Sequence, residues 1–111
     1  MTMVLRTWNA LARSQQEADA YAEHLRTTVF PHLHTIDGHL GAYLLQRSTG
    51  ATVGVMVITV WESIEAVQAF AGADTGVAVV EPEARSLLVN FDERVTHYDI
   101  VLDSTRGIHP D

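Results

Sequence analysis

The alternation of apolar and polar positions divides the chain into strand-like and helix-like stretches. Val4 to Leu11 alternates imperfectly and carries Val, Leu, Thr and Trp, which predicts a first strand. Ser14-Gln15-Gln16-Glu17 fits a capping box, in which each end side chain satisfies an orphan amide of the first helical turn. Ala18, Tyr21, Ala22, Leu25, Val29 and Leu33 then recur at helical spacing as a buried stripe, and Pro31 should kink or end the helix. After the loop signals Asp37-Gly38 and Gly41, Ala42 to Arg47 reads as a second strand. Ser48-Thr49-Gly50 turns it into a third, Val53 to Trp61, giving a hairpin. Ser63 can cap a short helix over residues 64–71, which Gly72 and Gly76 interrupt. Val77 to Leu88 is ambiguous: partly helical, with Pro82 breaking it or starting a new turn. Val95 to Leu102 reads as the last strand.

The resulting order, β-α-β-β-α-β, is the ferredoxin-like arrangement, an α+β fold with an antiparallel sheet. The third strand, Val53-Gly54-Val55-Met56-Val57-Ile58-Thr59-Val60-Trp61, is apolar on both faces. Two helices cover one face of a four-stranded sheet, and a solvated second face would show alternation instead. A second copy packed sheet to sheet is the economical cover, so the expected partner is the chain itself, as a homodimer forming an α/β barrel.

Composition narrows the function classes. The 111 residues fit one domain, expected over 1–103 with a tail over 104–111, and 47% apolar content supports a packed core. Seven Arg and no Lys stand against 14 acidic residues, a net charge of −7. That balance argues against nucleic acid and against an anionic membrane surface as partners. Without cysteine there is no disulfide, thiolate nucleophile or Cys-ligated metal. Residues 1–11 do not read as a signal peptide and no apolar run reaches membrane-spanning length, so a cytoplasmic location is expected. There is no G-x-G-x-x-G, P-loop, H-E-x-x-H or G-x-S-x-G.

Several pieces resemble the antibiotic biosynthesis monooxygenase family: Val60-Trp61-Glu62-Ser63, Glu65-Ala66, Phe70-Ala71-Gly72-Ala73-Asp74, Tyr21-Ala22-Glu23-His24, Gly41 through Arg47, Pro82-Glu83 before Leu87-Leu88, and Val95-Thr96-His97-Tyr98-Asp99. The resemblance spans about Val4 to Leu102. It implies a homodimeric barrel with a pocket between helices and sheet in each subunit. It also implies either cofactor-free oxygenation of polycyclic aromatic substrates or haem binding and degradation, while other members have no established role. The haem-degrading pattern is an Asn on strand one, a Trp on the short helix and a His about ten residues later. Asn9 matches the first, but Phe70 and Val80 stand at the other two positions. The quinone-forming pattern pairs a strand-end Trp with a Tyr six residues on; Trp61 matches, and Val67 replaces the Tyr.

The candidate residues follow, each with its structural alternative. His24 and His97 are the candidate catalytic acid/base groups, since imidazole titrates near neutrality. Either could instead be a hydrogen-bonded boundary or interface histidine. Tyr21 shares a helix face with His24 and, with Asn9, Tyr43, Arg47, Trp61 and Phe70, makes up the candidate substrate-binding set. Asn9 could offer an amide to the cavity or bond backbone, Arg47 could clamp an oxyanion or pair with surface acids, and Trp61 could stack on substrate or belong to the core. His32, His34 and His39 have a spacing that a metal could use, but no metal site is expected, and no cofactor. The leading expectation is a cofactor-independent monooxygenase acting on a hydrophobic aromatic or polyketide-like small molecule. The alternatives are a non-catalytic dimeric ligand-binding or structural protein and, behind it, a haem binder.

Overall fold

A computed structural model gives the fold and describes residues 2–105. Strand β1 (Val4–Ala12) leads into helix α1 (Gln15–His24), which continues without a break through a π-helical turn, Leu25–Val29, into α2 (Phe30–Leu33). Ser14 caps α1 by accepting a hydrogen bond from the Glu17 amide at 3.2 Å. Only this half of the expected box forms, because the Glu17 carboxylate pairs with Arg13 at 3.1 Å. Pro31 does not end the helix. Proline has no N–H and its ring collides with the carbonyl four residues back in an α-helix. The preceding turn widens to i→i−5 bonding, with the Phe30 amide donating to the Leu25 carbonyl, and the helix passes the proline.

The hairpin of β2 (His39–Thr49) and β3 (Thr52–Trp61) is longer than its apolar stretch predicts. Ser63 caps α3 (Ile64–Ala71) through a bond from the Ala66 amide, and α3 ends at Gly72, whose φ of +85° suits glycine. Residues 77–88 resolve into an irregular stretch followed by α4 (Pro82–Leu87), with Pro82 in its first turn, where a missing N–H is harmless.

The sheet is antiparallel, in order β2-β3-β1-β4, where β4 is Leu88–Phe91, and β5 (Thr96–Asp99) pairs farther along the same edge of β1. The expected single strand over 95–102 is therefore corrected: the last strand starts at Leu88, stops at Phe91, resumes at Thr96 and ends at Asp99. Between the two pieces the chain pairs with residues 76–78 instead, through Ala78 N to Glu93 O, Val95 N to Gly76 O and a Val77–Arg94 bridge. Val101 and Leu102 lie exposed beyond it. Residues 106–111 of the expected tail are outside the described residues.

The helices cover one face of the sheet. On that face lie Val4, Arg6, Trp8 and Ala12 of β1, and Val53, Val55, Thr59 and Trp61 of β3, all buried. One core cluster joins Trp8, Tyr21, Leu25, Val53, Val55 and Leu88, and a second joins Leu33, Trp61 and Val67. On the opposite face Leu5, Leu11, Met56, Ile58 and Val60 are only half-buried, and Tyr43, Leu45 and Tyr98 are exposed. No helix of the described residues is long and apolar enough to cross a membrane.

Candidate functional site

Between the helices and the sheet lies a cavity of about 60 Å³. Its floor is Arg6 and Trp8 of β1 with Val57 and Thr59 of β3. Tyr21 and His24 of α1, Leu25, Val29 and Leu33 form one wall, Phe70 of α3 another, and Val79, Val80, Glu81, Ala84 and Val95 close it. The lining is apolar except for a few groups, the usual make-up of a small-molecule site.

Two of those groups each keep one nitrogen without a hydrogen bond. His24 is 8% exposed, with Nδ1 3.2 Å from a carboxylate oxygen of Glu83 and Nε2 3.6 Å from one of Glu81. Nε2 is buried without a hydrogen bond; in the tautomer that puts the proton on Nδ1, toward Glu83, Nε2 carries the lone pair. Arg6 is 6% exposed; its Nη2 donates to the Val77 carbonyl at 2.9 Å and its Cζ sits 5.4 Å from the centroid of the Phe70 ring, while Nε is buried without a partner. Burial pushes the Arg6 guanidinium down to about 10, so it remains charged at neutral pH. Tyr21 is buried beside them. Burial first, and then the Glu81 charge, hold its phenol well above its ordinary value, so it is a neutral donor.

Of the sequence candidates, His24, Tyr21 and Phe70 line this cavity. His97 does not. It lies across from Arg6 in the β1–β5 pairing, with Nε2 buried and unpartnered, and burial followed by the Arg6 charge hold its imidazole below the usual range. Trp61 is fully buried in the core, its Nε1 donating to Thr59 Oγ1 at 2.8 Å and its ring 6.0 Å from Phe70, so it underlies the site without lining it. The placements expected for Asn9, Tyr43 and Arg47 are corrected. Side chains alternate across a strand, the cavity takes Arg6 and Trp8 of β1, and Asn9 therefore projects to the far face. By the same parity Leu44 reaches the helix-side core, which leaves Tyr43 and Arg47 exposed on the far face. His34 and His39 meet edge to face at 5.4 Å, and His39 packs on Trp61. Among the described residues no three His, Cys, Asp or Glu side chains gather as a metal site.

Sequence reasoning missed Arg6, Glu81 and Glu83. A signal for Arg6 was available, because it shares strand parity with Val4 and Trp8, an arginine in an otherwise apolar face. The two glutamates carry no such signal: they meet His24 only because α4 packs against α1.

Fold and site together define a ferredoxin-like α+β protein with a small apolar cavity lined by a histidine and an arginine that each keep one buried nitrogen without a hydrogen bond. The family model for antibiotic biosynthesis monooxygenase matches residues 7–81, and the chain belongs to that family. Among solved structures it is similar to a candidate antibiotic biosynthesis monooxygenase from Bacillus cereus, at 16% identity and a TM-score of 0.68, covering 96% of this chain and 100% of that one. A dimeric ferredoxin-like protein from an uncultured marine organism aligns at 12% identity and TM-score 0.66, over 96% and 95% of the two chains. A heme-degrading protein from Mycobacterium tuberculosis aligns at 22% identity and TM-score 0.59, over 96% and 100%. At these identities the likeness establishes the fold. No curated protein matches the sequence.

Proposed function

We propose that this protein is a cofactor-independent monooxygenase for a small aromatic or polyketide-like molecule with an acidic C–H, and that His24 is its base. The observation that carries the reading is His24 in the cavity lining, with Nε2 buried and without a hydrogen bond and Nδ1 3.2 Å from Glu83. A base needs a fixed tautomer and a free lone pair facing the substrate. In the reaction, Nε2 takes a proton from a ring CH2, and the electron pair delocalises onto the neighbouring carbonyl oxygen. Dioxygen, the oxidant, bonds to the carbon; the proton returns to give a hydroperoxide, which loses water and leaves a ketone. The protein supplies the base, an apolar enclosure and oriented donors.

The residues do not fit haem. Val80, where the family resemblance asks for a histidine, lines the cavity as an aliphatic side chain, and about 60 Å³ is far below what a porphyrin fills. We therefore route no step through it.

The cavity's size favours a second reading, a non-catalytic binder of small ligands. An apolar cavity of about 150 Å³ takes up benzene, so an aromatic substrate enters this smaller one only if the irregular stretch carrying Val79, Val80 and Glu81 gives way. In either reading the apolar far face of the sheet is covered by a second copy, giving a homodimer.

Turnover of an anthrone-type substrate, followed by absorbance, separates the readings. We expect oxygen-dependent conversion to the quinone, and a loss of about 10²–10⁴-fold in kcat for His24→Gln with substrate affinity nearly unchanged. Turnover that is the same without oxygen ends the oxygenase reading. Saturable binding with no turnover supports the binder.

A further inference from the structure

Arg6 is a buried cation without a counter-ion. The chain has twice as many acidic residues as arginines, 14 against 7, yet among the described residues the ion pairs involve Arg13, His24, Arg26 and Arg94, and none reaches Arg6. A guanidinium taken out of water is ordinarily compensated by a carboxylate. Here the compensation is partial: one carbonyl, Val77, on Nη2, and the face of Phe70. Nε, a strong donor, is buried and bonded to nothing, in a residue that lines the cavity.

We propose that Arg6 is the anchor for an oxyanion of the ligand, so that the cavity selects molecules bearing a carboxylate, phenolate or enolate oxygen over neutral ones of the same shape. This deepens the functional reading above by naming the chemical class its site accepts, and it holds for a binder as well as for an enzyme. The placement of charge gives the ligand a direction. Glu81 and Glu83 sit at His24, and neither is within ion-pair distance of Arg6. An anionic oxygen is therefore repelled from the His24 end and drawn to the Arg6 end, which leaves the ligand's proton-bearing part toward Nε2. Thr59 Oγ1 accepts from Trp61 Nε1, so its own O–H stays free to donate to a ligand oxygen in the cavity. His97, across from Arg6 and outside the cavity lining, adds no negative charge.

The experiment is equilibrium binding, with no turnover involved. Acetate and acetamide match what the cavity admits as it stands; benzoate and benzamide add a ring. Trp8 lines the cavity and reports occupancy through its fluorescence, with Trp8→Phe as the control for the signal from Trp61. We expect each carboxylate to bind at least tenfold more tightly than its amide. The gap should close in Arg6→Met, persist in part in Arg6→Lys and survive in His24→Gln. On the wild-type protein, the Arg6 Nε–H resonance should shift with carboxylate and stay in place with amide, a readout that does not depend on any variant folding. Equal affinities, a gap that persists in Arg6→Met, or an Nε–H resonance indifferent to both carboxylates overturns the proposal and leaves Arg6 as a clamp that ties Val77 to the sheet. His24 chemistry can fail while the carboxylate preference stands, and the reverse, so the two ideas are separable.

Discussion

Among the described residues three histidine nitrogens are buried without hydrogen bonds, in His24, His39 and His97. For two of them burial also sets the sign of a pH effect. His97 is held below its ordinary value by burial and then by Arg6; His39 by burial and then by His34, with the Gly41 backbone acting the other way. Both rings are neutral in the folded chain at a pH where the unfolded chain begins to take up protons. The unfolded state thus binds more protons below about 6.5, and stability falls as the pH falls through that point. Urea midpoints measured from pH 7.5 to 5.5 should decline, and His97→Gln should flatten part of the decline; a flat wild-type curve contradicts the assignment. At this scale the sequence singled out His24 as a candidate base and Tyr21 and Phe70 as candidate substrate contacts, and the structure places all three in the cavity lining. It could not mark Glu81 and Glu83, because nothing in Glu81-Pro82-Glu83 reveals which helix they will face.

Among the elements, the ones that carry strong local signals formed where their residues predict: β1, the β2–β3 hairpin, and α3 from Ile64 to Ala71. Those that differ do so for tertiary reasons. The helix survives Pro31 by widening one turn, and the last strand is split because residues 93–95 leave β1 to meet residues 76–78. The junction ahead of β2 is fixed by a close approach. Gly38 has a φ of +90°, its carbonyl accepts from the Glu62 amide at 2.8 Å, and a Cβ there would lie 2.6 Å from that of Ala66 on α3. Gly72 has a similar φ and open space around it. Gly72→Ala should cost about 1–3 kcal/mol for the backbone alone. Gly38→Ala adds overpacking and should cost about 2–5 kcal/mol. Chemical denaturation of the two variants side by side measures the difference; equal losses would mean that Ala66 yields freely.

For the whole molecule, the far face of the sheet decides the assembly. Met56, Ile58 and Val60 of β3, with Leu5 and Leu11 on either side of Thr7 and Asn9 on β1, stand on a face that no helix among the described residues covers. We expect the protein to run as a dimer in light scattering at micromolar concentration, and Ile58→Glu to convert it to monomer with lower thermal stability, since a charge buried between sheets has no partner. A wild-type chain that is monomeric and well folded rules out the sheet-to-sheet barrel. The sequence by itself determined the element order, the α+β class and the double-sided apolar character of β3, because periodicity and turn chemistry are local properties that read directly from neighbouring residues. Only the tertiary structure decided which face of β1 looks into the cavity, that Arg6 rather than Asn9 stands there, and that two glutamates from α4 and its approach meet His24. Strand parity has two solutions until the helices choose a side, and contacts between residues some sixty positions apart exist only once they have.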